Sequence, residues 1–106
     1  MAEFRRVGAQ SDFAEGLVRV FEVDGIDVAV VRHAGEYFAF SGRCPHAGYA
    51  FNFTRVRPGD RILCSSHLAW FELRTGKVLD GPTDRDLEVY EVRVEGDDVL
   101  VRAERR

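Results

Sequence analysis

The sequence is poor in several features, and each shortage excludes a class of protein. It has two cysteines in 106 residues, too few for a secreted scaffold held together by disulfides. No stretch approaches the ~20 apolar residues of a membrane-spanning helix. The first residues, MAEFRR, are followed by no apolar run of the kind a signal peptide has. We therefore expect a cytoplasmic protein that makes no use of a membrane.

The chain also lacks an excess of basic over acidic residues. The chain has 15 lysines and arginines against 18 aspartates and glutamates, a net charge of −3 at pH 7. A nucleic-acid-binding protein needs a concentrated basic face, so no nucleic-acid partner is expected. A chain of 106 residues has room for one core only, and residues 1–106 are expected to form a single domain.

Helical periodicity is also missing, and short alternating apolar segments take its place. Leu17–Val23 and Ile26–Val31 are joined by Asp24-Gly25, which predicts a hairpin. Leu87–Val94 and Val99–Arg102 repeat the pattern near the end of the chain. Short strands at this spacing predict an all-β fold, an antiparallel sandwich of small sheets.

One region interrupts the strands. The stretch from Ser41 to Trp70 contains three glycines, two prolines and only short apolar runs. We expect little regular structure there, and long loops inside a compact domain are usually functional. The aromatic residues of this stretch argue against disorder, so something should hold it in place.

Both cysteines lie in this region, and each is followed closely by a histidine. The two units are Cys44-Pro45-His46 and Cys64-Ser65-Ser66-His67, with 17 residues between them. Three interpretations are open. The cysteines are small buried hydrophobic residues; the four side chains bind a structural zinc ion, although zinc sites usually group like ligands together; or two cysteines and two histidines hold a [2Fe–2S] cluster.

The double motif C-x-H and C-x-x-H resembles that of the Rieske ferredoxins, in particular the small soluble ferredoxins of bacterial ring-hydroxylating oxygenase systems. The stretch Phe71–Gly76 and the pair Gly81-Pro82 support the resemblance more weakly. The resemblance implies a Rieske-like sandwich in which two loops, about residues 41–50 and 64–70, bind one [2Fe–2S] cluster. Gly81-Pro82 would begin a third loop that covers it.

The resemblance also implies the ligands and the role. Cys44 and Cys64 would hold the inner iron, and His46 and His67 the outer one, near solvent. The protein would carry one electron at a time from a flavin-dependent NAD(P)H reductase to a terminal oxygenase, without being an enzyme itself. The alternative role is that of a small Rieske subunit in a nitrite reductase-like or other oxidoreductase complex.

The chain departs from its high-potential relatives at four positions. Tyr49 and Ser66 stand where those proteins have two extra cysteines, and Ala69 and Phe71 stand where they have hydroxyl donors to the cluster sulfurs. Without these donors the potential is expected at the low end of the Rieske range, roughly −150 mV. Ser65 and Leu68 replace the usual proline and glycine of the second loop, so we expect this loop to be shaped somewhat differently from that of its relatives. His33, outside the motif, is expected to be a surface histidine.

Overall fold

The computed structural model describes residues 3–43, 51, 54–64, 69–81 and 85–104. Apart from a 3₁₀ turn at Gln10–Asp12, regular structure in these ranges is β-strand. The strands are β1 Phe4–Ala9, β2 Arg19–Val23, β3 Ile26–His33, β4 Glu36–Ser41, β5 Arg61–Cys64, β6 Ala69–Glu72, β7 Val78–Asp80, β8 Val89–Glu95 and β9 Asp98–Arg102. None of the described segments is a helix with the length and apolar character needed to cross a membrane.

Tight turns between neighbouring strands set the antiparallel pairing. β2 and β3 are joined at Asp24 and Gly25, whose φ angles of 51° and 80° are those of a type I′ turn. This confirms the predicted hairpin. The β3–β4 turn is built in the same way at Ala34 and Gly35, with φ angles of 53° and 80°.

The strands form two antiparallel sheets. The large sheet has the order β1-β9-β8-β4-β3-β2, and the small sheet has the order β5-β6-β7. The junction of β4 with β8 is narrow, since only Ala39 pairs with Tyr90 and Phe40 with Val89. This all-β arrangement of packed antiparallel sheets confirms the predicted fold class.

Strand β3 is buried on both faces. Val28 and Val30 belong to a core enclosed by the two halves of the large sheet, and Ala29 and Val31 belong to a second core. All four side chains are 0% exposed. The second core lies between the large and small sheets and contains Cys64. The small sheet is therefore held by apolar packing against β3.

Two strands fall where the sequence predicted none. Arg61–Cys64 and the first half of Ala69–Glu72 lie in the stretch expected to have little regular structure, and that expectation is wrong for these residues. Each strand has four residues, which is too short for alternation to stand out. β1 was also missed, because a register shift between Arg6 and Gly8 interrupts its alternation.

Ionisation of Tyr90 is predicted to lower the stability of the protein at alkaline pH. Its side chain is buried, and its hydroxyl donates to Glu88 Oε2 at 3.1 Å. Burial and the Glu88 carboxylate raise the Tyr90 pKa from 10.0 to about 12. Because the unfolded tyrosine ionises first, the stability is expected to fall as the pH rises from 10 to 12, by about 1 kcal/mol between pH 9 and pH 11.

Urea unfolding at pH 9 and pH 11 measures this loss, with Tyr90→Phe as the reference. The variant lacks the ionising hydroxyl, so its stability should fall less over the same interval. An equal fall in both proteins would assign the alkaline loss of stability to other groups.

Candidate metal centre

Cys64 ends strand β5 on the inner face of the small sheet. Ile62 and Cys64 are 0% and 3% exposed, whereas Arg61 and Leu63 on the other face are partly exposed. Cys64 pairs with Ala69 at the start of β6. Its sulfur forms no disulfide with any residue that the structure describes. The strand thus places this cysteine at one end of the sheet, within an apolar environment.

The segment that carries the first motif begins and ends at anchored residues. The Gly42 N–H donates to the Asp27 carbonyl at 2.9 Å, and the Phe51 N–H donates to the Gly42 carbonyl at 2.9 Å. Arg43 Nε donates to Asp27 Oδ2 at 2.6 Å. A Cβ at Gly42 would lie 2.9 Å from the Asp27 carbonyl carbon, so this close approach requires glycine. Backbone hydrogen bonds therefore join Gly42 to Phe51 and to β3 on either side of the first motif.

The third predicted loop starts at the same end of the small sheet. Asp80, the last residue of β7, pairs with Trp70 of β6. Trp70 directly follows Ala69, and on its other side it pairs with Leu63 of β5. The Asp80 carboxylate accepts the Gly81 N–H at 2.8 Å. Cys64, Ala69 and Asp80 consequently lie together at one end of the sheet.

Aromatic rings pack in the same core as Cys64. The Phe51 ring meets Phe40 edge-on, with a centroid distance of 5.7 Å, and meets Phe71 edge-on at 6.3 Å. All three rings are at most 2% exposed. Such packing excludes water and lowers the local dielectric, which influences the potential of any redox group held beside it.

Of the four predicted ligands, the structure describes Cys64. Cys44, His46 and His67 lie outside the described residues, as do Tyr49, Ser65, Ser66, Leu68 and Pro82. Among the described residues no group of three or more His, Cys, Asp or Glu side chains is placed to hold a metal ion. The donor set therefore remains the one predicted by the motif, in which two thiolates with two imidazoles suit a Rieske cluster.

Comparison with known proteins decides the family. The model of the Rieske [2Fe-2S] domain matches residues 3–91. The chain belongs to the Rieske [2Fe–2S] family. This confirms the resemblance seen in the motif. The cofactor of this Rieske protein is one [2Fe–2S] cluster.

Similar Rieske proteins are ferredoxin components. The chain is 40% identical over 78 residues to the biphenyl dioxygenase ferredoxin subunit of Pseudomonas sp. strain KKS102, covering 74% of this chain and 72% of the relative. It is 34% identical over 99 residues to the ferredoxin component of biphenyl 2,3-dioxygenase from Rhodococcus jostii RHA1, covering 93% and 92%. The ferredoxin of carbazole 1,9a-dioxygenase from Nocardioides aromaticivorans IC177 superposes with a TM-score of 0.89 at 29% identity, covering 97% of this chain and 100% of that one.

An ionic network that sequence patterns did not reveal joins the two sheets of this Rieske protein. His33 Nε2 lies 2.7 Å from Asp60 Oδ1, and His33 Nδ1 lies 3.5 Å from Glu15 Oε2. Arg74 approaches Asp60 at 3.5 Å and Glu36 at 3.0 Å. The His33 side chain is 24% exposed, so this histidine lies partly at the surface and is held there by two carboxylates. His33 and Asp60 are 27 positions apart in the sequence, which explains why no local pattern predicted the contact.

Asp60 is predicted to matter for attachment of the small sheet. The hydrogen bond with His33, supported by the Arg74 guanidinium, lowers the pKa of Asp60 below its ordinary value of 3.8. A carboxylate whose pKa is lowered in the folded state stabilises the protein above its ordinary pKa, and that stabilisation is lost as the pH falls through the lowered value. Asp60→Asn is therefore expected to lower the melting temperature at pH 7 and to hasten loss of the cluster absorbance.

Asp24→Asn is the matched control. Asp24 also has a positive φ angle, 51° against 55° for Asp60, and it also pairs with an arginine, Arg5, at 3.2 Å. It lies in the β2–β3 hairpin and connects no two sheets. Equal effects of the two substitutions would show that the network has no special role.

Proposed function

We propose that the chain is a one-electron carrier that accepts electrons from a flavin-dependent NAD(P)H reductase and delivers them to a terminal oxygenase. The observation that carries this proposal is the match, over nearly the full length of both chains, with free-standing ferredoxin components of dioxygenase systems. A second neighbour with 29% identity and a TM-score of 0.88 is a complex of reduced oxygenase and oxidised ferredoxin. The chain is an electron-transfer component, and the oxygenase is the catalyst.

The proposal assigns the ligands by motif. Cys44 and Cys64 hold one iron through thiolates, and His46 and His67 hold the other through imidazoles. The buried position of Cys64 at the loop end of the small sheet supports its place in this set. When bound, the cluster supplies reversible one-electron chemistry. The chain contributes apolar packing that excludes water from the inner side and a pair of loops anchored on sheet ends.

We also propose the extent of the domain and the cellular location of the protein. Residues 1–106 form one domain, with cluster-binding loops at about 41–50 and 64–70. A cytoplasmic location fits a carrier that depends on NAD(P)H as its ultimate electron source. The packing of both sheets on the shared strand β3 supports a single domain.

Metal analysis and spectroscopy test the ligand assignment. The purified protein should contain about two iron and two acid-labile sulfide per chain, and the dithionite-reduced form should give the rhombic EPR signal of mixed nitrogen and sulfur ligation. His46→Cys should shift that signal or abolish the cluster. An unaltered spectrum would remove His46 from the ligand set.

Reconstitution tests the carrier role. NADH should reduce the protein only when a flavin-dependent reductase is present, and product formation by a biphenyl-type terminal oxygenase should require this chain. A protein that dithionite reduces, but that neither partner oxidises or reduces, would refute the role and leave the cluster assignment standing.

The midpoint potential is predicted to be low. Ala69 and Phe71 are both 0% exposed and carry no hydroxyl, so neither can donate a hydrogen bond to a cluster sulfur. We expect roughly −150 mV, the low end of the Rieske range. Ala69→Ser should raise the potential by supplying a donor, whereas Ala103→Ser, in the other core, should not. Voltammetry measures both, and a wild-type value well above zero would contradict the prediction.

A further inference from the structure

The outer face of the small sheet carries an arginine stacked on the single tryptophan of the chain. Side chains of β5 and β6 alternate, so Arg61, Leu63 and Trp70 point away from the core. The Arg61 guanidinium carbon lies 4.4 Å from the centroid of the Trp70 ring, within cation–π distance. Arg61 Nε also donates to the Pro58 carbonyl at 2.8 Å. The stacked guanidinium is therefore held in place at this surface.

Two further arginines extend the same surface. Val56 packs on the inner core, so its exposed neighbours Arg55 and Arg57 point outward. Arg57 and Arg61 face each other in an antiparallel bridge, with N–H to carbonyl distances of 2.8 and 3.3 Å. Directly opposite residues of such a pair project to the same side, about 5 Å apart at Cβ. We name Arg55, Arg57, Arg61, Leu63 and Trp70 the arginine face.

The outer side of the small sheet carries carboxylates as well as the three arginines, but no ion pair joins the two kinds of group within the described part of the chain. Arg55, Arg57 and Arg61 form no ion pair there, although Arg5, Arg6, Arg43, Arg74, Arg93 and Arg102 all do. Glu72 lies opposite Arg61, and its carboxylate accepts from the Thr75 hydroxyl at 2.6 Å; Asp80 lies opposite Trp70, and its carboxylate accepts the Gly81 N–H at 2.8 Å. Like charges directly opposite one another on a sheet are destabilising. The arrangement therefore costs stability that an acidic partner would recover.

We infer that the arginine face is a docking site for the carboxylate-rich surface of a protein redox partner, an inference that rests on the proposed function. Arginine and tryptophan dominate the energetics of protein interfaces, and guanidinium groups pair with carboxylates through two parallel hydrogen bonds. Leu79 on the neighbouring strand β7 is 49% exposed and adds apolar area. A flat sheet face with an apolar centre and charged margin suits a protein surface.

Position and charge fit electron transfer. Leu63 directly precedes Cys64, and Trp70 directly follows Ala69, so the arginine face reaches the end of the sheet that carries the cysteine. The whole chain has a net charge of −3, which repels an acidic partner from other directions. A local positive face on a negative body would therefore orient such a partner during encounter.

Quenching of Trp70 fluorescence tests the local charge without any partner protein. The ratio of the iodide to the caesium quenching constant should be higher for Trp70 in the holoprotein at low salt than for free N-acetyltryptophanamide, because the surrounding guanidinium groups attract anions. Arg55→Gln/Arg57→Gln should lower this ratio toward that of the free amide. Arg5→Gln/Arg6→Gln changes the net charge equally but lies on β1, and it should leave the wild-type ratio intact. A wild-type ratio no higher than that of the free amide would overturn the inference.

Turnover with the reductase and the oxygenase tests docking. Arg55→Gln/Arg57→Gln should raise the KM for one of the two partners about tenfold at low ionic strength, with kcat and the EPR signal unchanged. High salt should erase the difference. Equal KM changes in both double variants, or none in either, would overturn the inference.

Failure of the proposed function would show separately, as absence of turnover with the wild-type protein. In that case, binding of poly-L-glutamate to the holoprotein tests whether the arginine face binds acidic partners. Wild type and the Arg5→Gln/Arg6→Gln variant should bind the polymer, and the Arg55→Gln/Arg57→Gln variant should not. Equal binding by all three proteins would overturn the arginine face as an acidic-partner site.

Discussion

Replacing Cys64 by serine is expected to give a protein without a [2Fe–2S] cluster. A serine hydroxyl stays protonated near pH 7 and does not replace a thiolate on iron. The side chain is 3% exposed, at the end of β5, so no solvent-exposed donor can move into its place easily. Because binding of a metal group contributes to folding free energy, the variant should also be markedly less stable than the holoprotein.

Iron and sulfide content, visible absorbance and the EPR spectrum measure the outcome. Ile62→Val is the matched control, because Ile62 is 0% exposed on the same face of the same strand. It should cost about 1 kcal/mol of packing and keep the full cluster. A Cys64→Ser protein with a full complement of iron would contradict the assignment of Cys64 as a ligand. Loss of the cluster in both variants would attribute the effect to packing.

The fold could be predicted from the sequence wherever local chemistry determines it. Asp24-Gly25 specifies a type I′ turn by itself, and the alternation along β8 places Tyr90 and Val92 on one core, although Val94 at the end of the run is 41% exposed. β5 could not be predicted in this way. Its four residues form a strand because Cys64 and Ile62 pack into the inter-sheet core and β6 pairs alongside, and both conditions are tertiary.

The candidate site also combines features that local sequence predicts with features that depend on tertiary contacts. Thiolate and imidazole side chains at this spacing are typical of a Rieske cluster, so the cofactor could be predicted from the motif, whereas the four individual ligands stay a prediction. The contacts that hold the site in place could not be predicted from the sequence. Gly42 approaches the Asp27 backbone, and Asp60 meets His33 from 27 positions away in the sequence. Such contacts depend on how the two sheets are stacked, which no local pattern encodes.

Gly76 makes another contact of this kind, and the geometry around it is tight. Its φ angle is +76°, its N–H donates to the Glu72 carbonyl at 2.8 Å, and its carbonyl accepts the Leu87 N–H at 2.7 Å. A Cβ at this position would lie 2.3 Å from the Leu87 carbonyl oxygen. The turn after β6 therefore rests directly on the backbone that leads into β8.

Gly76→Ala is expected to destabilise the protein by about 2–5 kcal/mol. The left-handed backbone costs an alanine about 1–2 kcal/mol, and the clash forces the turn away from Leu87 and breaks a buried backbone hydrogen bond, worth about 1–3 kcal/mol more. Against a total stability of about 5–15 kcal/mol, this loss leaves much of the protein unfolded on warming. Detachment of this turn would also loosen the small sheet that carries Cys64.

Gly96→Ala separates the cost of the left-handed backbone from the cost of the clash with Leu87. Gly96 has a φ angle of +61° but nothing within 4 Å of its added Cβ, so its replacement should cost only the backbone term, about 1 kcal/mol. Urea unfolding of the two variants beside the wild type gives the difference. If both lose the same stability, the contact with Leu87 contributes nothing. If Gly76→Ala loses several times more and releases its cluster sooner, the stacking of the β6 turn on the large sheet is what holds the cluster-bearing strands in place.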